Sequence, residues 1–190
     1  MIQIQKTSDT LTKKNIVNRV SYIPGGVSLA LTNLVAGNVV PEGTPLTAPS
    51  SGLRTICKQA VVLTGSTTTA IQIEEGTHQF KVGDFIGVKT GGKAYAITDI
   101  SNASGIDTLT VGTAIGTPVV GGFIYEMAAE AAATTSALKN TADVILETAF
   151  IAPSVTNIIF MNDALLRADV LQNVIGSEYL ATLDVKEVKY

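Results

Sequence analysis

The sequence predicts a mainly β protein, a small β-barrel or sandwich meander with an extended N-terminal arm and a short α/β C-terminal part. Two observations carry this. Within residues 80–125, Tyr95-Ala96-Ile97-Thr98-Asp99-Ile100 and Asp107-Thr108-Leu109-Thr110-Val111 alternate apolar and polar positions, the period of half-buried strands. Two near-copies of a glycine phrase bracket them, Val82-Gly83-Asp84-Phe85-Ile86-Gly87 and Gly121-Gly122-Phe123-Ile124-Tyr125. Strands of this length with turns at this spacing belong to small barrels and sandwiches.

Taken in order, the chain divides into an arm at 1–22, a β-rich core at 23–127 and a C-terminal crossover at 128–190 packed on that core. Residues 1–20 show neither a helical stripe nor sustained alternation, so they read as an extended or disordered arm. Tyr22-Ile23-Pro24-Gly25-Gly26 is a turn, because proline fixes φ and glycine supplies positive φ. Residues 27–31 form a short strand. Residues 34–46 contain two glycines and two prolines, which break them into very short extended pieces. A loop at 47–52 leads to strand-like character at 53–62. After a turn at Gly65-Ser66, residues 69–73 place Ile71 and Ile73 on one face. Residues 74–77 turn the chain into the first glycine phrase. Lys89-Thr90-Gly91-Gly92-Lys93 is a glycine-rich hairpin connection. A strand at 94–100, a turn at 101–105, a strand at 106–111, a loop at 112–120 and a strand at 123–127 complete the core.

The C-terminal part is less regular. Ala128-Ala129-Glu130-Ala131-Ala132-Ala133 has the best helix propensity of the chain but no large apolar residue at helical spacing, which leaves a short helix or a flexible crossover. Residues 142–152 are apolar and poorly punctuated, and 157–160 read as a strand. Asn162-Asp163 either breaks that strand or caps a helix. Ala164, Leu165, Ala168, Leu171, Gln172 and Ile175 fit a helical stripe, in competition with an extended reading of 158–166. One helical turn is expected at 177–181 and a closing strand at 183–190.

Composition narrows the setting. Hydrophobic residues make up 46% of the 190 and charged residues 15%, with a mean hydropathy of +0.34. A monomer surface normally carries more charge, so part of this one is expected to be Thr, Ser and Gly or to be covered by partners. No apolar run is long enough for a transmembrane helix, and residues 1–6 lack the pattern of a signal peptide. Cys57 is the only cysteine, which excludes an internal disulfide and fits folding in a reducing cytoplasm. A net charge of −3 gives no sign of nucleic-acid binding, and no membrane partner is expected. The first twenty residues hold Lys6, Lys13, Lys14 and Arg19 against Asp9, so a basic arm precedes an acidic body. It is either a solvated tail or an arm that docks on an acidic partner surface.

No constellation argues for catalysis, a metal or a cofactor. Gly87-Val88-Lys89-Thr90-Gly91-Gly92-Lys93-Ala94 matches the glycine–lysine part of a phosphate-binding loop. Yet Ala94 stands where a magnesium-holding hydroxyl is needed, and a strand follows instead of a helix. His78 is the sole histidine and reads as a surface residue in a turn. Cys57 reads as a buried strand residue. Its use as a nucleophile needs His78 as base. Asp84, Asp99 and Asp107 lack the spacing of a calcium loop and read as turn and strand-end residues. Asn102-Ala103-Ser104 matches a glycosylation acceptor without any sign of secretion. Glu130 and Glu147 show no spacing for paired acid and base work. The residues point away from an enzyme.

Three stretches resemble the head decoration and head-fibre base proteins of tailed bacteriophages. The first is Ile23-Pro24-Gly25-Gly26 followed by Leu34-Val35-Ala36-Gly37-Asn38-Val39-Val40-Pro41-Glu42-Gly43-Thr44-Pro45-Leu46. The second runs from Lys81-Val82-Gly83-Asp84-Phe85 to Gly121-Gly122-Phe123-Ile124-Tyr125-Glu126. The third joins Ile158-Ile159-Phe160 to Ala164-Leu165-Leu166-Arg167-Ala168-Asp169-Val170-Leu171 and a terminal strand. The resemblance implies a compact β domain made in the bacterial cytoplasm and bound to the outer capsid surface of the virion. Its partner would be the major capsid protein and its state a homotrimer. It also implies that an N-terminal arm helps docking, which would give Lys6, Lys13, Lys14 and Arg19 a role. A carbohydrate- or surface-binding β module and a tail or baseplate component are the alternatives. A hydrolase built on Cys57 and His78 is the enzymatic one.

Overall fold

The computed structural model describes residues 16–154, 160–162, 164–171 and 174–188. Its strands, in chain order, begin with β1 (Ile16–Tyr22), β2 (Val27–Leu29), β3 (Val39–Val40), β4 (Pro45–Thr47) and β5 (Gln59–Val61). The middle of the chain supplies β6 (Ala70–Glu74), β7 (Phe85–Gly87), β8 (Tyr95–Ala103), β9 (Ile106–Val111) and β10 (Phe123–Met127). Then come β11 (Ala142–Leu146), β12 (Phe150–Ile151), β13 (Phe160–Asn162) and β14 (Ala164–Leu171). Helix α1 (Ser177–Leu180) and β15 (Asp184–Val188) close the chain.

Two large sheets result. One has the order β1-β14-β11-β4, with β15 added parallel to β14. The other has the order β5-β10-β7-β8-β9-β6. Two short pairs, β2 with β13 and β3 with β12, lie outside them. The first sheet draws β1 and β4 from the start of the chain and β11, β14 and β15 from its end. The C-terminal part is therefore woven into the fold. The second sheet curls until the Leu63 N–H donates to Gln72 O at 2.8 Å. No ladder joins β5 to β6, so the architecture is sandwich-like and no sheet closes into a barrel.

Alternation translates directly into packing. On β6, Ile71 and Ile73 are fully buried; on β9, Leu109 and Val111 are buried. With Ile86, Ile97 and Ile124 they fill the inside of the curled sheet. A second cluster sets Cys57, Tyr125, Met127 and Tyr179 against Ile16, Ile145 and Leu165. A third places Leu29, Val40, Leu46, Val144 and Leu146 under the two short pairs. On β11, Ile145 and Val144 thus serve different clusters. Burying each such side chain contributes roughly 1.5–3 kcal/mol.

The β8–β9 connection is tighter than the sequence suggests. Ala103 pairs with Ile106, leaving only Ser104 and Gly105, both with positive φ (54° and 81°). That is the two-residue mirror-image turn that matches strand twist. The strand therefore runs on to Ala103, in place of the turn expected from 101.

At two places where the sequence leaves alternatives open, the structure takes the non-helical one. Residues 164–171, with their helical stripe, form strand β14, because β1 pairs along one side of it while β11 and β15 share the other. Tertiary hydrogen bonding outweighs the local periodicity here. Residues 128–133 form no helix: Ala131 exchanges hydrogen bonds with Ala94 at 2.9 and 3.0 Å. With no large apolar residue to bury, a helix there would gain little from packing. Of the strand expected at 157–160, residues 157–159 lie outside the described residues and Phe160 opens β13. The helical turn and closing strand expected near the C-terminus are present as α1 and β15. Among the described residues, no helix is long and apolar enough to cross a membrane.

Candidate functional site

The most unusual feature of the interior is a charged cluster under the second sheet. Lys58, Asp84 and Glu126 each stand two residues from a core position, Ala60, Ile86 and Ile124. Period-two geometry therefore turns all three toward the same side of the sheet. Lys58 Nζ lies 2.6 Å from Asp84 Oδ2 and 3.3 Å from Glu126 Oε1. The side chains of Lys58 and Glu126 are only 3% and 2% exposed. Lys139, on the rim, reaches Glu126 Oε1 at 2.7 Å. Asp84 Oδ2 also accepts the Lys81 N–H at 2.8 Å. Two cations thus meet two carboxylates, and no buried polar side-chain atom among the described residues lacks a partner.

The surroundings are of low polarity. Burial, followed by the charge of Glu126, pushes the Cys57 thiol up to about 12. Burial likewise raises the phenols of Tyr125 and Tyr179 above their usual value. Tyr179 packs edge-on against Tyr125, with ring centroids 5.5 Å apart, and its hydroxyl donates to Lys58 O at 3.4 Å. Helix α1, which carries Tyr179, thereby seals this end of the sheet.

Nearby, an open cleft of about 720 Å³ lies between the β7–β8 hairpin, the loop before β10 and α1. Lys89, Lys93, Phe123, Thr134, Ser177 and Glu187 are among its lining residues. Phe123 stacks at 6.3 Å on Tyr125. A mixed lining of this kind can hold a polar chain or a neighbouring loop, and neither Cys57 nor His78 belongs to it.

The glycine–lysine phrase forms the β7–β8 hairpin, as expected: β7 and β8 pair antiparallel. Ala94 is buried against Ala131. Gly87 is needed for a close approach, since a Cβ there would lie 2.8 Å from Lys93 O.

His78 is a correction. It is buried, at 3% exposure, with Nε2 2.8 Å from Asp107 Oδ2. Its Nδ1 accepts the Phe80 N–H at 3.1 Å, which assigns the proton to Nε2. Asn102 holds the other oxygen of Asp107 at 3.0 Å. The histidine is a satisfied interior bridge between the turn and β9. Cys57 is buried as expected, but it lies two residues ahead of β5 and not within a strand. Asp84 serves Lys58 and Asp107 serves His78, so the aspartates do not converge. Among the described residues, no group of three or more His, Cys, Asp or Glu could hold a metal ion.

Of the arm residues, Lys6, Lys13 and Lys14 lie outside the described residues. Arg19 lies on β1, so residues 16–22 of the expected extended or disordered arm are instead a strand paired with β14, and the Arg19 Nε meets Glu147 Oε1 at 2.7 Å. Its side chain remains 63% exposed. Around it on β1, Val17, Val20 and Tyr22 are 40%, 53% and 66% exposed, with Leu166 of β14 at 41%.

Little in the sequence points to the Lys58 cluster, because its members are far apart along the chain and each resembles an ordinary surface charge. The alternation around Ala60, Ile86 and Ile124 is the one clue that they face inward. Compared with known proteins, the chain matches no family model, no curated protein and no solved structure.

Proposed function

We propose that the protein is a structural component of a tailed-phage virion, binding the major capsid protein on the outer shell as a decoration or head-fibre base protein. The observation that carries the reading is the exposed apolar strand β1, whose Val17, Val20 and Tyr22 form one border of the first sheet beside Leu166. Among the described residues, β14 is the one strand that pairs with β1. Such a strand suits continuation into a neighbouring chain, and a homotrimer would cover it. The low charge content and the resemblance in the glycine and proline phrases support the same reading. The basic residues 6–14, ahead of this strand, would add attraction to an acidic capsid surface.

The test separates arm from strand. Deleting residues 1–15 leaves β1 in place. The truncated chain should stay folded and trimeric, while losing most of its binding to purified capsids at low salt. Undiminished capsid binding would refute the docking role of the arm. A monomer in the untruncated protein would refute the trimer.

The cleft beside Phe123 favours a second reading, a non-catalytic carbohydrate- or surface-binding module. Its test is titration with phage-host surface polysaccharide, in which Phe123→Ala should abolish binding.

A further inference from the structure

We propose that Lys58 and Asp84 condense, with Glu126 as the proton carrier, into an intramolecular isopeptide bond that staples the approach to β5 onto the turn before β7. This goes beyond the virion reading and does not depend on it.

The parts are set by the sheet. β10 lies between β5 and β7, so Glu126 sits between the two residues to be joined. The Glu126 N–H donates to Lys58 O at 3.1 Å, and Asp84 O accepts from the Ile97 N–H at 2.9 Å. Both backbones are therefore fixed, and the reacting groups meet without a search. Holding amine and carboxyl in contact replaces a bimolecular encounter by an intramolecular one. The Lys81 N–H, 2.8 Å from Asp84 Oδ2, is placed to stabilise negative charge on that oxygen in the tetrahedral intermediate. Lys58 and Glu126 are almost completely buried and Asp84 keeps 15% of its side chain exposed, so the amine and the proton carrier are shielded from bulk water.

The step balances. A proton passes from the Lys58 ammonium to the Asp84 carboxylate, leaving a neutral amine beside a neutral carboxyl group. The nitrogen lone pair forms a bond to Asp84 Cγ. Glu126 takes a second proton from nitrogen and returns it to the hydroxyl oxygen, Oδ1. The Cγ–Oδ1 bond breaks and water leaves. Oδ2 becomes the amide oxygen, the nitrogen keeps one hydrogen, and Glu126 ends as the carboxylate it was. Two buried charges become one neutral amide, which removes their desolvation cost. Glu126 and Lys139 remain as a matched pair.

The experiment is an intact-mass measurement on the denatured full-length protein. It should weigh one water molecule less than its sequence, counted with or without Met1. Tandem mass spectrometry of a tryptic digest should show the segment around Lys58 joined to that around Asp84, with no cleavage at Lys58. Lys58→Arg and Glu126→Gln should both restore the full mass. Asp84→Asn should still join, now with loss of ammonia. A wild-type protein that keeps its full mass after prolonged incubation in the folded state overturns the proposal. So does a water loss that survives Lys58→Arg. Because the deciding mass is that of the wild-type chain, the proposal stands or falls even where a variant fails to fold.

Discussion

His78 and Asp107 are tied inside the curled sheet, Nε2 to Oδ2 at 2.8 Å, while the second ring nitrogen accepts the Phe80 N–H at 3.1 Å. The pair joins the turn after β6 to the start of β9. Removing the carboxylate strands a buried N–H donor and frees Asn102. Asp107→Ala should therefore destabilise the fold by about 1–3 kcal/mol, read from urea unfolding. Asp107→Asn, which keeps an acceptor, should cost less. Equal and negligible effects would show that the bridge is not formed.

Gly87 sits where β7 meets the hairpin. An added Cβ would lie 2.8 Å from the backbone oxygen of Lys93 and 2.9 Å from Met127 Cε. The methionine can yield; the backbone of a two-strand pairing cannot. Gly87→Ala should cost about 1–3 kcal/mol by overpacking, visible as a lower midpoint in denaturant. Nucleotide phosphates should neither bind there nor change that midpoint.

Cys57 should titrate late. Its thiol is held up to about 12 from 9.0, chiefly by burial. Below pH 9 both folded and unfolded chains keep the proton, so the contribution to stability is fully present. Above pH 9 the unfolded chain loses its proton while the folded one retains it. Stability then falls by about 1.4 kcal/mol per pH unit for this group until the folded thiol itself ionises. Tyr125 and Tyr179 steepen the decline above pH 10, since burial raises them as well. Unfolding followed between pH 8 and pH 11 should show this alkaline loss, and Cys57→Ser should reduce its slope. Below pH 9, a thiol reagent should modify Cys57 only after denaturation.

Arg19 separates binding from folding. Its contact with Glu147 is short, at 2.7 Å, but the guanidinium is mostly in solvent, where such pairs contribute about 0–1 kcal/mol. Arg19→Ala should leave the melting temperature nearly unchanged. A loss of capsid affinity in that variant would then belong to the contact itself, and a large fall in melting temperature would assign the residue to the fold.

The fold is legible in the sequence where one face of a strand is buried. Ile71, Ile73, Leu109 and Val111 announce themselves by alternation, and the glycine phrases mark the turns. Residues 164–171 show the limit: Ala164, Leu165, Ala168 and Leu171 recur at helical spacing, yet hydrogen bonds to β1, β11 and β15 decide the backbone. No local signal encodes those partners. The same holds for Lys58, Asp84 and Glu126, whose burial depends on pairings made across the sheet. His78 reads as a surface residue because its partner, Asp107, lies on another strand. In each case the missing information is long-range contact.

A β sandwich that works as a bound part of a virion shell has to be found on that shell. For the proposed virion role the deciding number is its copy count on purified, DNA-filled tailed-phage particles, measured by quantitative mass spectrometry against the major capsid protein. The expected result is retention through density-gradient purification, at many copies per particle and in multiples of three. Absence from the particle would contradict the virion role.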